Sequence, residues 1–461
     1  MTVTAGPAEA ITAQLNALPE GLRPPPDVFK TLLTAAGKLR ADGGAADAQR
    51  AAVIYKLMER GAGYGDDSPP ASVSFPRDHR LHLKCGNEWY WVSCQLDAEG
   101  PDGPVRIAVL LDMLRFRLIS TKLQAEVGWS DPDCQLVWNA VTVTVSGAGG
   151  SRIYRRNLNV QWRKTGGEVE FPGERPDAPF VFRCGPDVMV GPPDVLPLGI
   201  SVVDTGNISL ELRLSSAMRH PFFLQGTDGI TPPPKPGVYY SWPQLAVDGY
   251  VYVGEAAYNV SGVGWIDHQL LMQTPPTIPT PPYPIDGWNW CQFNFDNGEA
   301  FTAAAFQTGM ISVNPLTPYG FYLRRSDDGQ SWRAERLIGA LAMDHLIPTL
   351  HQVMQATSWT YTATNFPAEA DALARPFDLD VTTAPWIDDA SFETADLAVP
   401  SEVPVSVAMV NKAERLSLSP PGKSPLGEAI TGAGFCETVN WEPWASYQAR
   451  ALAFLRAGVD A

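Results

Sequence analysis

The sequence predicts an all-β protein, mainly antiparallel, with a helical extension at its N-terminus. Three observations predict it. Trp (14) and Pro (42) are abundant among the 461 residues, which suits strands, loops and large apolar surfaces better than helical bundles. Short alternating runs recur between turn signals such as Gly147-Ala-Gly-Gly150 and Thr165-Gly-Gly167, the pattern of an antiparallel barrel or sandwich. A motif also repeats. Trp89-Tyr-Trp91 with Asp97 and a glycine turn matches Trp288-Asn-Trp290 with Asp296 and a glycine turn, as two related β-domains in tandem would give.

In chain order, Ile11, Leu15 and Leu18 recur at helical spacing, Pro24 to Pro26 interrupt, and the runs beginning at Val28 and Ala51 resume the pattern. Residues 1–70 are therefore read as a helical extension, a structural cap in preference to a lid or dimer contact. From about Phe75 the pattern changes to strands. Residues 88–97 alternate, 105–117 return antiparallel to them, and further strands fall at 136–145, 152–162, 169–171 and 208–214. After the second motif come strands at 300–307, 319–325 and 332–337. The stretch 341–355 has a helix-like apolar pattern interrupted by Pro348, and residues 445–457 read as a short terminal helix. The expected domains are 71–270 and 271–461.

The formal charge of −16 repels phosphate backbones and anionic headgroups, and no Lys/Arg run offsets it, so nucleic acid and membrane surfaces are poor partners. An uncharged or cationic small molecule fits better. The N-terminus has no basic and apolar leader, and no window approaches a membrane span; the expected location is cytoplasmic and the oligomeric state is open. Six cysteines without a C-x-x-C pair are read as small buried residues.

Two stretches carry the candidate chemistry. In residues 262–268, strand alternation sends Trp265 and Asp267 one way and Ile266 and His268 the other. In residues 287–298, Trp288, Trp290, Gln292 and Asn294 share one face, and Asp296-Asn-Gly298 is a hairpin signal. A carboxyl buried beside indoles resists ionisation and stays protonated near neutral pH, which makes Asp267 a candidate proton donor. Tyr239, Tyr240, Trp265, Trp288 and Trp290 are aromatic faces that would attract a developing cation. The structural alternative is that Asp267 accepts backbone or Trp N–H bonds, His268 caps a barrel end and the indoles fill a core. His79 with His82, and His345 with His351, lack attendant ligands at metal spacing, so no metal is assigned. No dinucleotide fingerprint, Walker loop or G-x-S-x-G elbow occurs, and no cofactor is expected.

Together, Glu88-Trp-Tyr-Trp91, Gly237-Val-Tyr-Tyr-Ser-Trp-Pro-Gln-Leu245, Gly264-Trp-Ile-Asp-His268, Gly287-Trp-Asn-Trp290, Asp296-Asn-Gly298 and Gly432-Ala-Gly-Phe-Cys-Glu437 resemble the carotenoid 1,2-hydratase (hydroxyneurosporene synthase) and AttH-like superfamily. The resemblance covers roughly residues 75–441. It implies two tandem lipocalin-like β-barrels with a ligand cleft around their junction, and chemistry on apolar molecules. Asp267 and His268 would be catalytic, with Trp89, Trp91, Trp265, Trp288, Trp290, Tyr239, Tyr240, Gln292 and Asn294 against the substrate. The chain departs from the family after His268, where Gln269-Leu-Leu-Met272 and a Pro-rich loop follow, so substrate identity is not carried over. The expected function is a cofactor-independent lyase or hydratase acting on a hydrophobic isoprenoid or polyene. The alternatives are a cyclase folding a polyene for cycloaddition and a non-catalytic carrier.

Overall fold

The computed structural model describes residues 7–18, 20, 23, 26–39, 47–48, 50–51, 54, 73–155, 159–171, 177–204, 207–223, 230–231, 237–271, 287–307, 319–348, 354–365, 378–385, 408–418 and 432–439. The chain divides into two compact units. The first comprises 1–216, 221–279 and 397–400; the second comprises 217–220, 280–396 and 401–461. The N-terminal helices group with the first unit.

Those helices are α1 (Pro7–Ala17) and α2 (Pro26–Gly37), which bury Ile11 and Leu15, and Leu32 and Ala36, respectively. Each begins on a proline, whose missing N–H costs a first helical turn nothing. Residues 55–72 lie outside the described set. No helix among the described residues is long and apolar enough to cross a membrane.

The first unit opens with β1 (Asn87–Gly100), β2 (Gly103–Arg117), a short α3 (Thr121–Val127) and β3 (Gln135–Gly147). Then come β4 (Gly150–Arg155), β5 (Asn159–Trp162), β6 (Val169–Glu170), β7 (Phe180–Cys184) and β8 (Asp187–Gly191). The remaining strands are β9 (Leu198–Val203), β10 (Ile208–Ser215), β11 (Phe222–Phe223), β12 (Ile230–Thr231), β13 (Gly237–Val253) and β14 (Ala256–Leu271). They form one antiparallel sheet in the order β4-β3-β2-β1-β14-β13-β10-β9-β8-β7-β6, with β5 beside β3 and β11 and β12 beside β13. Tyr90 of β1 packs edge-on to Phe180 of β7 at 5.6 Å, although several strands separate them in the sheet. The sheet must therefore curl, and its inner face forms one core with Val92, Leu111, Val141, Phe182, Ile200, Leu212 and Ile266. It is a lipocalin-like half-barrel rather than a closed ring.

Two local features set which side chains face that core. Gly262 lies so close to β1 that a Cβ there would stand 2.2 Å from the Gln95 carbonyl oxygen, so only glycine lets the two central strands approach. In β13 the register slips between Trp242 and Leu245, and Gln244 takes φ 54°. This is a β-bulge. Before it the even residues Val238, Tyr240 and Trp242 point inward; after it the odd residues Leu245, Val247, Val251 and Val253 do.

The second unit is a closed antiparallel barrel of β15 (Gly287–Phe295), β16 (Ala300–Gln307), β17 (Tyr319–Arg325), β18 (Trp332–Pro348), β19 (Met354–Asn365), β20 (Asp378–Pro385), β21 (Ala408–Leu418) and β22 (Gly432–Val439), with β22 returning to β15. The hairpin expected at Asp296-Asn-Gly298 is present, with Gly298 at φ 82°. The helix-like apolar pattern of 341–355 is not realised as helix in its described residues. Residues 332–348 and 354–365 instead pair as strands, Leu341 opposite Tyr361 and Met343 opposite Trp359. A long apolar run looks alike as a buried strand and as a helix, and the cross-strand ladder decides it. The expected helix at 445–457 lies outside the described residues. Cys85, Cys94, Cys134, Cys184 and Cys291 are buried free thiols.

Candidate functional site

The site is built on the four central strands of the first unit, β13, β14, β1 and β2, whose two faces carry different chemistry. Asp267 on β14 pairs with Ser241 on β13 and with Trp91 on β1, and Trp91 pairs in turn with Asp112 on β2. These four residues form one transverse row on the outer face. The adjacent row holds Trp265, Ser93, Leu110 and Thr142.

Asp267 is 3% exposed. The Trp265 Nε1–H donates to its Oδ1 at 2.7 Å, and the Ser241 hydroxyl donates to the same oxygen. Burial pushes the carboxyl up; hydrogen bonds from Ser241, Trp265 and Tyr239 draw it partly back, and it settles at about 7. Such a group is a weak acid able to give up a proton at neutral pH.

The inner face holds a different assembly. Glu88 and Tyr90 alternate with Trp89 and Trp91 along β1, so they point into the core, as does His268. Glu88 Oε1 accepts from His268 Nε2 at 2.9 Å and His82 Nδ1 at 2.9 Å, while Oε2 accepts from Arg115 Nη2 at 3.2 Å. Asp78 accepts from His82 Nε2 at 3.2 Å. Both ring nitrogens of His82 thus serve carboxylates, which only the imidazolium can do. Burial opposes that charge, but Glu88 and Asp78 outweigh it and lift His82 to about 9. Burial would likewise raise Glu88, yet His82, His268 and Arg115 hold it well below the usual carboxylate range. Burial lowers His268, which stacks on Tyr90 at 4.2 Å between ring centres, and lowers His79, which pairs with the Tyr240 hydroxyl at 2.6 Å.

Of the residues singled out in the sequence, Asp267, Trp265, Tyr239 and Trp91 come together on the outer face. Trp89 lies on that face, half-buried, opposite Gln269. His268 and Tyr240 pair across β14 and β13 but turn to the core, away from Asp267. Trp288, Trp290, Gln292 and Asn294 belong to β15 of the second unit, where Trp290, Gln292 and Asn294 are buried. Asp112 and Gln95, on the outer face, escaped the sequence reading, and His82 entered it only as a rejected metal ligand. An acid inside the apolar run of β2 is the signal that marks Asp112. Glu88 was in view only as the first letter of a tryptophan motif. Among the described residues no group of three His, Cys, Asp or Glu is placed to hold a metal ion.

Residues 66–400 match the AttH-like family model. No curated protein matches the chain. Among solved structures, an AttH-type protein from Nitrosomonas europaea is 16% identical, with 82% of this chain and 99% of that one covered at TM-score 0.53. Kievitone hydratase from Nectria haematococca is 12% identical, with 82% and 95% covered at TM-score 0.50. Both likenesses are of fold, and they agree with a family match that spans most of the chain. The chain belongs to the AttH-like family.

Proposed function

We propose that this protein is a cofactor-independent hydratase or lyase that protonates a double bond of an isoprenoid or polyene from Asp267. The observation that carries the reading is a carboxyl 3% exposed, set among Trp265, Trp91, Tyr239 and Ser241, with no cation among its hydrogen-bond partners and with its pKa at about 7. The family resemblance to carotenoid 1,2-hydratase and the shared fold of a kievitone hydratase support the same reaction class.

Oδ1 already holds two donors, so the acidic proton belongs on Oδ2. It passes to one alkene carbon as the π bond opens, leaving a carbocation on the neighbouring carbon. Each indole face near that centre stabilises the cation by about 0.5–2 kcal/mol. Water then adds to the cation, forming the C–O bond, and gives its extra proton to a carboxylate. Asp112 is placed for that second role, across Trp91 from Asp267 at two strand spacings, about 10 Å. Asp267 is reprotonated from solvent. His268 faces away from this chemistry and acts as an anchor for β14 through Glu88.

The test is Asp267→Asn, followed by mass analysis of a polyene incubated with protein. Turnover should fall about 10²- to 10⁴-fold, the range for losing a general acid, while quenching of tryptophan fluorescence by the polyene persists. Near-normal turnover would remove Asp267 as the acid and favour the cyclase, in which shape and hydrogen bonding by Gln292 or Asn294 replace protonation. A wild-type protein that returns every polyene unchanged is a carrier.

A further inference from the structure

Two rows above Asp267 and Asp112 on the same face sits Gln95, opposite Val263 on β14 and Ala108 on β2. It is 8% exposed, and neither its Nε2 nor its Oε1 has a hydrogen-bond partner. Thr142 on β3, in the row between, is 3% exposed, and its hydroxyl also has none. Buried amides are rarely left this way, because each unmet donor or acceptor keeps its full desolvation cost. The two buried carboxylates of these strands are served. Asp267 has Ser241 and Trp265, and Glu88 has two histidines and an arginine.

We propose that Gln95, assisted by Thr142, is the polar anchor of the substrate site and that the substrate is therefore an oxygenated apolar molecule rather than a pure hydrocarbon. The proposal rests on the reading of the Asp267 face as the substrate face. Gln95 stands four residues along β1 from Trp91, about 14 Å at strand spacing. A hydroxyl suits it best: it donates to Oε1 and accepts from Nε2, so one group meets both unpaired atoms, whereas a carbonyl meets only the donor. An all-hydrocarbon chain meets neither. The anchored end then fixes which double bond along the chain reaches Asp267, and regiochemistry follows from the spacing of the two polar groups.

The test compares farnesol with farnesene, isoprenoids of the same carbon number with and without a terminal hydroxyl, by tryptophan fluorescence titration and by mass analysis of products. Wild-type protein should bind farnesol at least about tenfold tighter than farnesene. Gln95→Leu should bring farnesol to the level of farnesene without weakening farnesene, and Thr142→Val should remove part of the preference. Equal affinity for both probes in the wild type, a preference that survives Gln95→Leu, or failure of farnesol to bind would each overturn the anchor. The two readings separate cleanly. A farnesol preference that depends on Gln95 but yields no hydrated product sustains the anchor and sinks the hydratase reading. Hydration of both probes with no dependence on Gln95 does the reverse.

Discussion

Asp267 and Glu88 lie on opposite faces of adjacent strands, and both are at most 3% exposed, yet their acidities are driven in opposite directions. Glu88 is surrounded by Arg115, His82 and His268 and is held ionised. Asp267 receives only neutral donors and is lifted to about 7. Burial is common to both, so burial alone decides nothing; the presence or absence of a cation within hydrogen-bond reach does. One carboxylate ties the sheet together and the other is left able to give up a proton. A β-strand achieves this cheaply, since consecutive residues face opposite environments.

Breaking the Glu88 side should have the largest effect on stability. Glu88→Gln leaves Arg115 buried without its counter-charge and His82 with Asp78 alone, and unfolding in urea should show a loss of about 3–5 kcal/mol. Asp267→Asn should leave the fold standing.

The pH dependence sharpens the contrast. His82 sits at about 9 in the folded protein, above the ordinary histidine value of 6.5, so its contribution is complete below about 6.5 and is lost as pH rises through 9. Glu88 is depressed, so its contribution is present above the ordinary glutamate value of 4.5 and disappears as pH falls through its lower folded value. Asp267 works the other way. Its folded value of about 7 exceeds the ordinary aspartate value of 3.8, so it costs stability increasingly between those two pH values and by a constant amount above 7. Urea titrations of wild type and Asp267→Asn should therefore diverge from about pH 4 to 7 in favour of the variant and run parallel above. Turnover by the wild type should fall above about pH 7, as the acid form is lost.

The smallest effect is expected from Ser241→Ala. It removes one donor from Oδ1, so the upper limb of the pH–rate profile should move to higher pH by about one unit, the scale of a single hydrogen bond to a charged group. An unmoved limb would detach Ser241 from the titrating group.

Much of the outer face was legible because strand alternation is strict. Trp265 and Asp267 had to share a surface, and His268 had to leave it. Tyr240 was expected to line the pocket with Tyr239; its parity turns it to the core. The ion network could not be read, because His82 reaches Glu88 from an irregular segment before β1 and Arg115 comes from the next strand. Nor could the partition into an open sheet and a closed barrel be foreseen: both are made of the same alternating strands, and closure depends on which edges pair. Residues 341–355 failed for a third reason, an apolar run whose ladder partner lies outside any local window.

The bulge at Gln244 makes β13 two strands spliced out of phase. Odd-numbered Tyr239 and Ser241 look out toward the acid at one end, while odd-numbered Val247, Val251 and Val253 look into the core at the other. Deleting one residue there would restore an unbroken rhythm and turn one half inside out.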